Sequence, residues 1–423
     1  MSTSKVTARV ISRPEFIALV AALMATNSLA IDVMLPALPY VGQSLGVPSE
    51  NERQLVIASY MIVFGIAQLF FGPLADRYGR RGPLLVGIGI YVVAAFLAMF
   101  SPTFGVLLAL RGLQGLGAAA TRVIAISAVR DRFAGRDMAQ VMSLAFMVFM
   151  ALPIVAPGIG QVILLGASWH FIFLFMAVMA TVIGIWAYLR LPETLAPEYR
   201  RPLSVKAITG GFRLVVSNRT AFFYGLCGGL LFGGMFGYIS SSQQLFVDIY
   251  GLGPLFPLAF AVMAALMMGS NFLNASIVQS FGMRRIAHTA LLGIIGFAAV
   301  LTIWAQWVHP GNPPLVAFFI LATLVLFLYG FAPNNLNSLS MEPLGAVAGT
   351  ASSVFGFIQT VGGAIIGSIT GQHFDGTVEP VALGFLIVGI LTLVCVLIAE
   401  RGRLFGIGEQ YRDKEHPVVA FAE

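Results

Sequence analysis

The chain is divided into twelve apolar runs, near 16–35, 54–75, 83–101, 103–128, 139–164, 169–190, 220–247, 255–278, 285–307, 314–335, 347–370 and 379–399. Each is close to the roughly 20 residues that cross the hydrocarbon of a bilayer. In lipid every backbone polar group must be satisfied within the protein, which leaves helices or a closed barrel. No segment alternates with period two, as barrel strands require, so the runs are read as helices. Composition agrees, with 58 % hydrophobic and only 10 % charged residues, against roughly 25 % charged in soluble domains. In a soluble body of 423 residues, 24 basic and 18 acidic side chains could not supply a polar skin.

Other function classes fall away on composition and spacing. Cys227 and Cys395 both lie in apolar runs, so no disulfide framework is implied. The five histidines are scattered, and no Cys/His cluster has metal-ligand spacing. No nucleophile–base arrangement or phosphate loop is found, and Gly87-Ile-Gly89 inside a span reads as packing; an enzyme is not expected. The net charge of +6 is no nucleic-acid signal, because the basic residues sit in short loops between apolar runs.

Those loops orient the chain. With the N-terminus placed in the cytoplasm, 21 of the 24 basic residues fall on the cytoplasmic side; Arg53 falls opposite, and Arg111 and Arg122 lie inside a span. Such asymmetry predicts that both termini are cytoplasmic. Ser28-Leu29-Ala30 resembles a signal cleavage site, but cleavage would leave unequal halves, so the first span is expected to stay. The loop at 191–219, with Pro192, Pro197, Pro202 and five basic residues, separates a six-helix half (1–190) from a second half with a short tail (220–423). The second-loop stretch Gly72-Pro-Leu-Ala-Asp76-Arg77-Tyr-Gly79-Arg80-Arg81 has a faded echo at Ala275–Arg285, where Gly282 matches Gly79 at an offset of 203 residues. The prediction is an all-α membrane protein of twelve transmembrane helices in two parallel six-helix halves, an arrangement used by transporters.

These features resemble the major facilitator superfamily, and within it the Bcr/CflA-type drug:proton antiporters. The resemblance rests on Asp32-Val-Met-Leu-Pro36-Ala-Leu-Pro39 in the first span and on the second-loop G-x-L-A-D-R-x-G-R-R signature. It rests also on Arg111-Gly-Leu-Gln-Gly115-Leu-Gly117 in the fourth span and on Glu342-Pro343 through Gln359 at the eleventh. The sequence departs from the group's pattern in the fifth span, which reads Ala156-Pro157-Gly-Ile-Gly160-Gln161, and at Arg122 and Ile126 in the fourth.

Asp32 carries the most information. A carboxylate inside an apolar span costs at least about 2.5 kcal/mol and is a functional candidate by default. Burial favours its neutral form and a nearby arginine its charged form, so a group balanced between the two can load and release a proton. The other reading is an aspartate reaching the first-loop boundary. Arg111 and Arg122 lie eleven residues apart, three helical turns, and so project from nearly one face about 16 Å apart. The resemblance gives Arg111 a part in proton coupling near the first-span carboxylate. Arg122 either lines a cavity or extends to the membrane edge.

The resemblance makes Gly72, Asp76, Arg77, Gly79 and Arg80 a conformational latch, with Asp76 meeting a helix N-terminus and the loop arginines; a topological role for the arginines is the alternative. It makes Pro153, Pro157 and Gly160 a hinge and proton seal, against which stands a merely kinked helix. Substrate contacts are sketched at Tyr238, Gln243, Gln244, Asn271 and Asn274. The function implied is export of lipophilic or amphiphilic drugs from the bacterial cytoplasm across the inner membrane, in exchange for protons, by a monomer that needs no cofactor. The alternative is proton-coupled uptake of a small metabolite.

Overall fold

The first helix shows how local signals set the architecture. In the computed structural model, which describes residues 11–133, 135–200, 209–210, 213, 215–308 and 310–405, α1 spans Arg13–Asp32. It opens on Ser12, whose hydroxyl accepts the Glu15 N–H at 3.4 Å, with a proline in the first turn. Downstream, Pro36 and Pro39 each stand in the first turn of a short new segment, the 3-10 turn Leu35–Ala37 and the helix Leu38–Ser44. The Leu-Pro-Ala-Leu-Pro stretch therefore resets the helix twice without turning the chain into a loop.

The remaining long helices are α2 (Leu55–Tyr78), α3 (Arg81–Ala98), α4 (Phe104–Arg132), α5 (Gly135–Gly166), α6 (His170–Arg190), α7 (Arg219–Gln243), α8 (Phe256–Phe281) and α9 (Met283–Ile303). After them come α10 (Leu315–Tyr329), prolonged by Ala332–Met341, then α11 (348–372) and α12 (Glu379–Ala399). Among the described residues there is no strand, and eleven helices are long and apolar enough to cross a membrane. The twelfth expected run lies in α5, whose apolar stretch Ala151–Gly166 is shorter among those residues. The chain is a multi-pass, all-helical membrane protein.

Two details match across the sequence repeat. Gly79 and Gly282 both adopt positive φ, +89° and +79°, and end α2 and α8 immediately before the next helix begins. Only glycine takes that conformation without strain. Three helices also loosen into π turns, at Gln244–Ile249 after α7, Trp304–Val308 after α9 and Ile358–Gly362 within α11. Hydropathy gives no sign of these, because one extra residue in a turn leaves an apolar run apolar.

The chain divides into two units, Met1–Val205 with Ile239–Ala264 and Gly371–His373, and Lys206–Tyr238 with Ala265–Thr370 and Phe374–Glu423. In the first, α4 is the central post. A Cβ at Gly115 would run into the Tyr60 carbonyl of α2, and one at Gly117 into the Gly87 carbonyl of α3. Small residues thus bring three backbones together, which is how helices associate where lipid removes the hydrophobic drive. Of the basic residues that predict orientation, Lys5, Arg9, Arg201, Lys206, Arg412 and Lys414 lie outside the described residues.

Candidate functional site

Asp32 is the last residue of α1 and is only 4 % exposed. Its Oδ2 accepts the Ser28 hydroxyl at 2.8 Å, the i, i+4 spacing placing both on one helix face. Thr26 and Asn27 are buried beside them, and Asn27 Oδ1 accepts the hydroxyl of Tyr60 from α2 at 2.9 Å. From α5, Gly160 lies so close that a Cβ would meet the Val33 carbonyl and the Pro36 ring. The fold therefore sets the fifth-span motif directly against the residues that follow Asp32. Pro157 is buried and Pro153 half-buried within the same helix.

Arg111 is fully buried. Its Nε donates to the Val56 carbonyl of α2 at 3.0 Å, and Nη2 to the Ala30 carbonyl of α1 at 2.9 Å. Nη1 donates to Gln114 Oε1 at 2.6 Å, and the guanidinium lies 4.6 Å from the Tyr60 ring centroid. The Ala30 carbonyl needs such a partner: the Met34 N–H, its regular i+4 donor, turns to Ile31 instead where the helix tightens. Arg111 thus reaches the last turn of α1 through the backbone. Among the described residues no hydrogen bond or ion pair joins it to Asp32. Arg122, three turns further along α4, is half-buried with its guanidinium 5.9 Å from the Phe64 ring centroid.

The second-loop residues form an ion cluster at the end of α2. Arg80 is 6 % exposed and donates to Asp76 at 2.5 Å and to Asp131, at the end of α4, at 2.8 Å. Burial works against its charge, yet the bonds to Asp131 and Asp76 hold the guanidinium above its ordinary pKa. Thr194 also donates to Asp131, at 2.9 Å. Asp76 is expected to meet a helix N-terminus and the loop arginines; it pairs with Arg80, while the carboxylate on the N-terminus of α3 is Glu193, which sequence reasoning missed. It accepts the N–H of Arg80 at 2.7 Å and of Arg81 at 3.2 Å, where α3 starts and backbone donors are free. Gly72 lies half-buried within α2, and Arg77 is exposed beside Tyr78, its guanidinium 5.6 Å from that ring's centroid.

The residues sketched as substrate contacts fall in both units. Gln243 and Gln244 belong to the first unit, Tyr238, Asn271 and Asn274 to the second. Gln243 donates to Asp248 at 3.3 Å, while Gln244 accepts from Gln54 at 2.5 Å and donates to Asn51 at 3.1 Å. Buried Tyr238 lies 6.2 Å from the Phe385 ring. Asn271 and Asn274 accept from Asn334 at 2.5 Å and Asn335 at 2.8 Å, tying α8 to the segment Ala332–Met341. A second ion cluster, which sequence reasoning did not assemble, also lies in this unit. Arg284 donates to Glu400 at 2.8 Å and Glu342 at 3.2 Å, and Tyr224 donates to Glu400 at 2.5 Å.

Comparison with known proteins places this geometry in context. The family model of the Major Facilitator Superfamily matches residues 20–368. An uncharacterized MFS-type transporter, YdgK, of Bacillus subtilis (strain 168) is 30 % identical over 85 % of this chain and 89 % of its own. A bicyclomycin resistance protein homolog of Haemophilus influenzae is 29 % identical, with 83 % and 87 % covered. Multidrug resistance protein D of Escherichia coli (strain K12) is 26 % identical, with 89 % and 93 % covered. Among solved structures, a D-xylose-proton symporter superposes with a TM-score of 0.71 at 12 % identity, covering 93 % of this chain and 99 % of the other. The human organic anion transporter MFSD10 gives 0.64 at 16 %, with 91 % and 98 % covered. A family match over most of the chain, relatives along nearly its full length and an all-helical fold of the same kind agree: the chain belongs to the Major Facilitator Superfamily, with relatives among the Bcr/CflA-type resistance proteins it resembles, and is a membrane transporter.

Proposed function

We propose that this transporter exports lipophilic or amphiphilic drugs across the bacterial inner membrane in exchange for protons, as a monomer with both termini in the cytoplasm and no cofactor. The observation that carries the reading is Asp32. It is a buried carboxyl on a membrane-spanning helix, hydrogen-bonded to an uncharged hydroxyl, with Arg111 engaged on the Ala30 and Val56 carbonyls and on Gln114. A carboxyl group in such a place is the kind of group that membrane proteins use to carry a proton. Gly160 of α5 packs against Val33 and Pro36, the residues that follow Asp32, so a bend in α5 would act on the chain next to this group. The names of the resistance-protein relatives support drugs as the cargo.

One such carboxyl implies one proton per cycle. Export of a neutral drug then moves net charge and draws on about 2.3 kcal/mol per 100 mV, plus about 1.4 kcal/mol per pH unit. Exchange of a monovalent cation for one proton is electroneutral and feels only the pH gradient. The test is proton release from everted vesicles acidified inside, on addition of lipophilic cations and neutral antibiotics. Release by wild type and none by Asp32→Asn is the expected result. Release that survives the mutation moves the proton site elsewhere; no release, with metabolite uptake into intact cells, overturns the exporter.

A further inference from the structure

The glycine run of α4 has a consequence on the surface of the first unit. Gly115 draws α2 onto one side of α4 and Gly117 draws α3 onto the other, while Leu116 between them faces neither backbone. It forms the floor of a groove of about 650 Å³ whose walls are α2 and α3. On α2 the wall runs from Val63 through Phe70 to Tyr78, about 22 Å at 1.5 Å per residue, most of the thickness of one hydrocarbon core. On α3 it is Pro83, Val86 and Ile90. Phe70 and Val86 are each 62 % exposed, so the groove opens outward along the spans. Of all its lining side chains, only that of Tyr78 bears a polar atom, and it stands at one end.

That end is also the charged one. Arg77 is exposed, with its guanidinium 5.6 Å from the Tyr78 ring centroid. The nearby acids are engaged elsewhere, Asp76 on Arg80 and Glu193 on the N–H groups of Arg80 and Arg81. Among the described residues Arg77 has no ion-pair partner. Arg81 stands at the same end, its guanidinium 5.0 Å from the Tyr188 ring centroid and bonded to the Tyr188 carbonyl. A long apolar channel with an unneutralised guanidinium at its mouth is complementary to a molecule with one acyl chain-sized tail and an anionic head. We propose that the α2–α3 groove is a binding site for an anionic phospholipid, one acyl chain lying along Leu116 and the phosphate meeting Arg77.

The site is independent of which drug is carried and of which residue carries the proton. Its test uses the full chain, reconstituted in vesicles of equal phosphatidylglycerol and phosphatidylcholine, re-extracted in mild detergent and examined by native mass spectrometry with quantified lipid extraction. Wild type is expected to retain one phosphatidylglycerol per chain, in preference to phosphatidylcholine. Arg77→Gln should lower that preference about fivefold, the factor that one basic residue near an anionic surface is worth. Val86→Trp should fill the groove and remove the retained lipid whatever its head group. Val86 is exposed, so this variant is expected to fold, which a single gel-filtration peak checks. Equal retention of both lipids by wild type, or unchanged retention in Val86→Trp, overturns the proposal. Displacement of the lipid by a lipophilic drug at stoichiometric concentration also overturns it, since the groove would then be a drug port.

Discussion

Arg80 and Arg284 close corresponding ends of the two sequence repeats, and they do so with different partners. Arg80 takes one acid from its own turn, Asp76, and one from the end of α4, Asp131. Arg284 has no acid in its turn and reaches instead to Glu342, beyond α10, and Glu400, beyond α12. The acid that follows α6, Glu193, binds backbone N–H groups, whereas its counterpart after α12, Glu400, binds the guanidinium and the Tyr224 hydroxyl. The glycines before the two arginines match at an offset of 203 residues, the arginines themselves at 204. In both places one buried guanidinium ties helix ends together through carboxylates, while the residues that answer it differ.

The sharpest way to break this parallel is to remove each guanidinium in turn. Arg80→Ala and Arg284→Ala each leave buried or partly buried carboxylates without a cation, a loss of about 3 kcal/mol. Thermal unfolding in detergent, followed by a thiol-reactive dye on the buried Cys227, should show both transitions lowered. A large drop for one and none for the other would mean that the clusters are not equivalent.

A smaller effect separates them by pH. Burial would raise the pKa of Glu400, but the bonds from Tyr224 and Arg284 hold it below the ordinary carboxylate range. A carboxyl depressed in the folded state stabilises above its unfolded pKa, about 4.3, and that stabilisation disappears as the pH falls through the folded value. The Arg80 guanidinium is held above its ordinary value by Asp131 and Asp76, so its contribution is complete at every working pH and fades only in strong alkali. Acidification from pH 6 to pH 4 should therefore lower the unfolding temperature of wild type more than that of Glu400→Gln. Equal slopes would remove Glu400 from the cluster's energetics.

The smallest expected change is Asp76→Asn. Its side chain is 47 % exposed and pairs at i, i+4, a geometry worth about 0.5 kcal/mol or less. Unfolding should hardly move, while the rate of drug-dependent proton release should fall if the pair sets the balance of conformations. A destabilisation as large as that of Arg80→Ala would make Asp76 a structural anchor instead.

Much of the fold was legible because a bilayer permits few answers to an apolar run of 20 residues, and because positive-φ glycines mark helix ends in the open. Asp32 was legible for the same reason: a charge among apolar residues stands out. The partners were not. That Arg111 would bind the Ala30 and Val56 carbonyls depends on where α1 tightens, which follows from the local path of the chain after the helix and not from residue type. Glu193 carries no such signal, since nothing in its neighbourhood along the chain tells that α3 begins beside it. The asparagines of α8 are sketched as substrate contacts from residue type alone, and in the fold they bond to Asn334 and Asn335.

The close seating of α2 and α3 on α4 has a mechanical side. With backbone against backbone at Gly115 and Gly117, α4 is seated there with no side chain between it and its neighbours to slip on. The three helices make a stiff shaft on which Arg111 and Arg122 are fixed marks about 16 Å apart. Any tilt given to this shaft moves both guanidiniums as one body, the farther by more. Motion begun beside the Ala30 carbonyl therefore reaches Arg122 by leverage, with no chain of rearranging contacts needed to carry it.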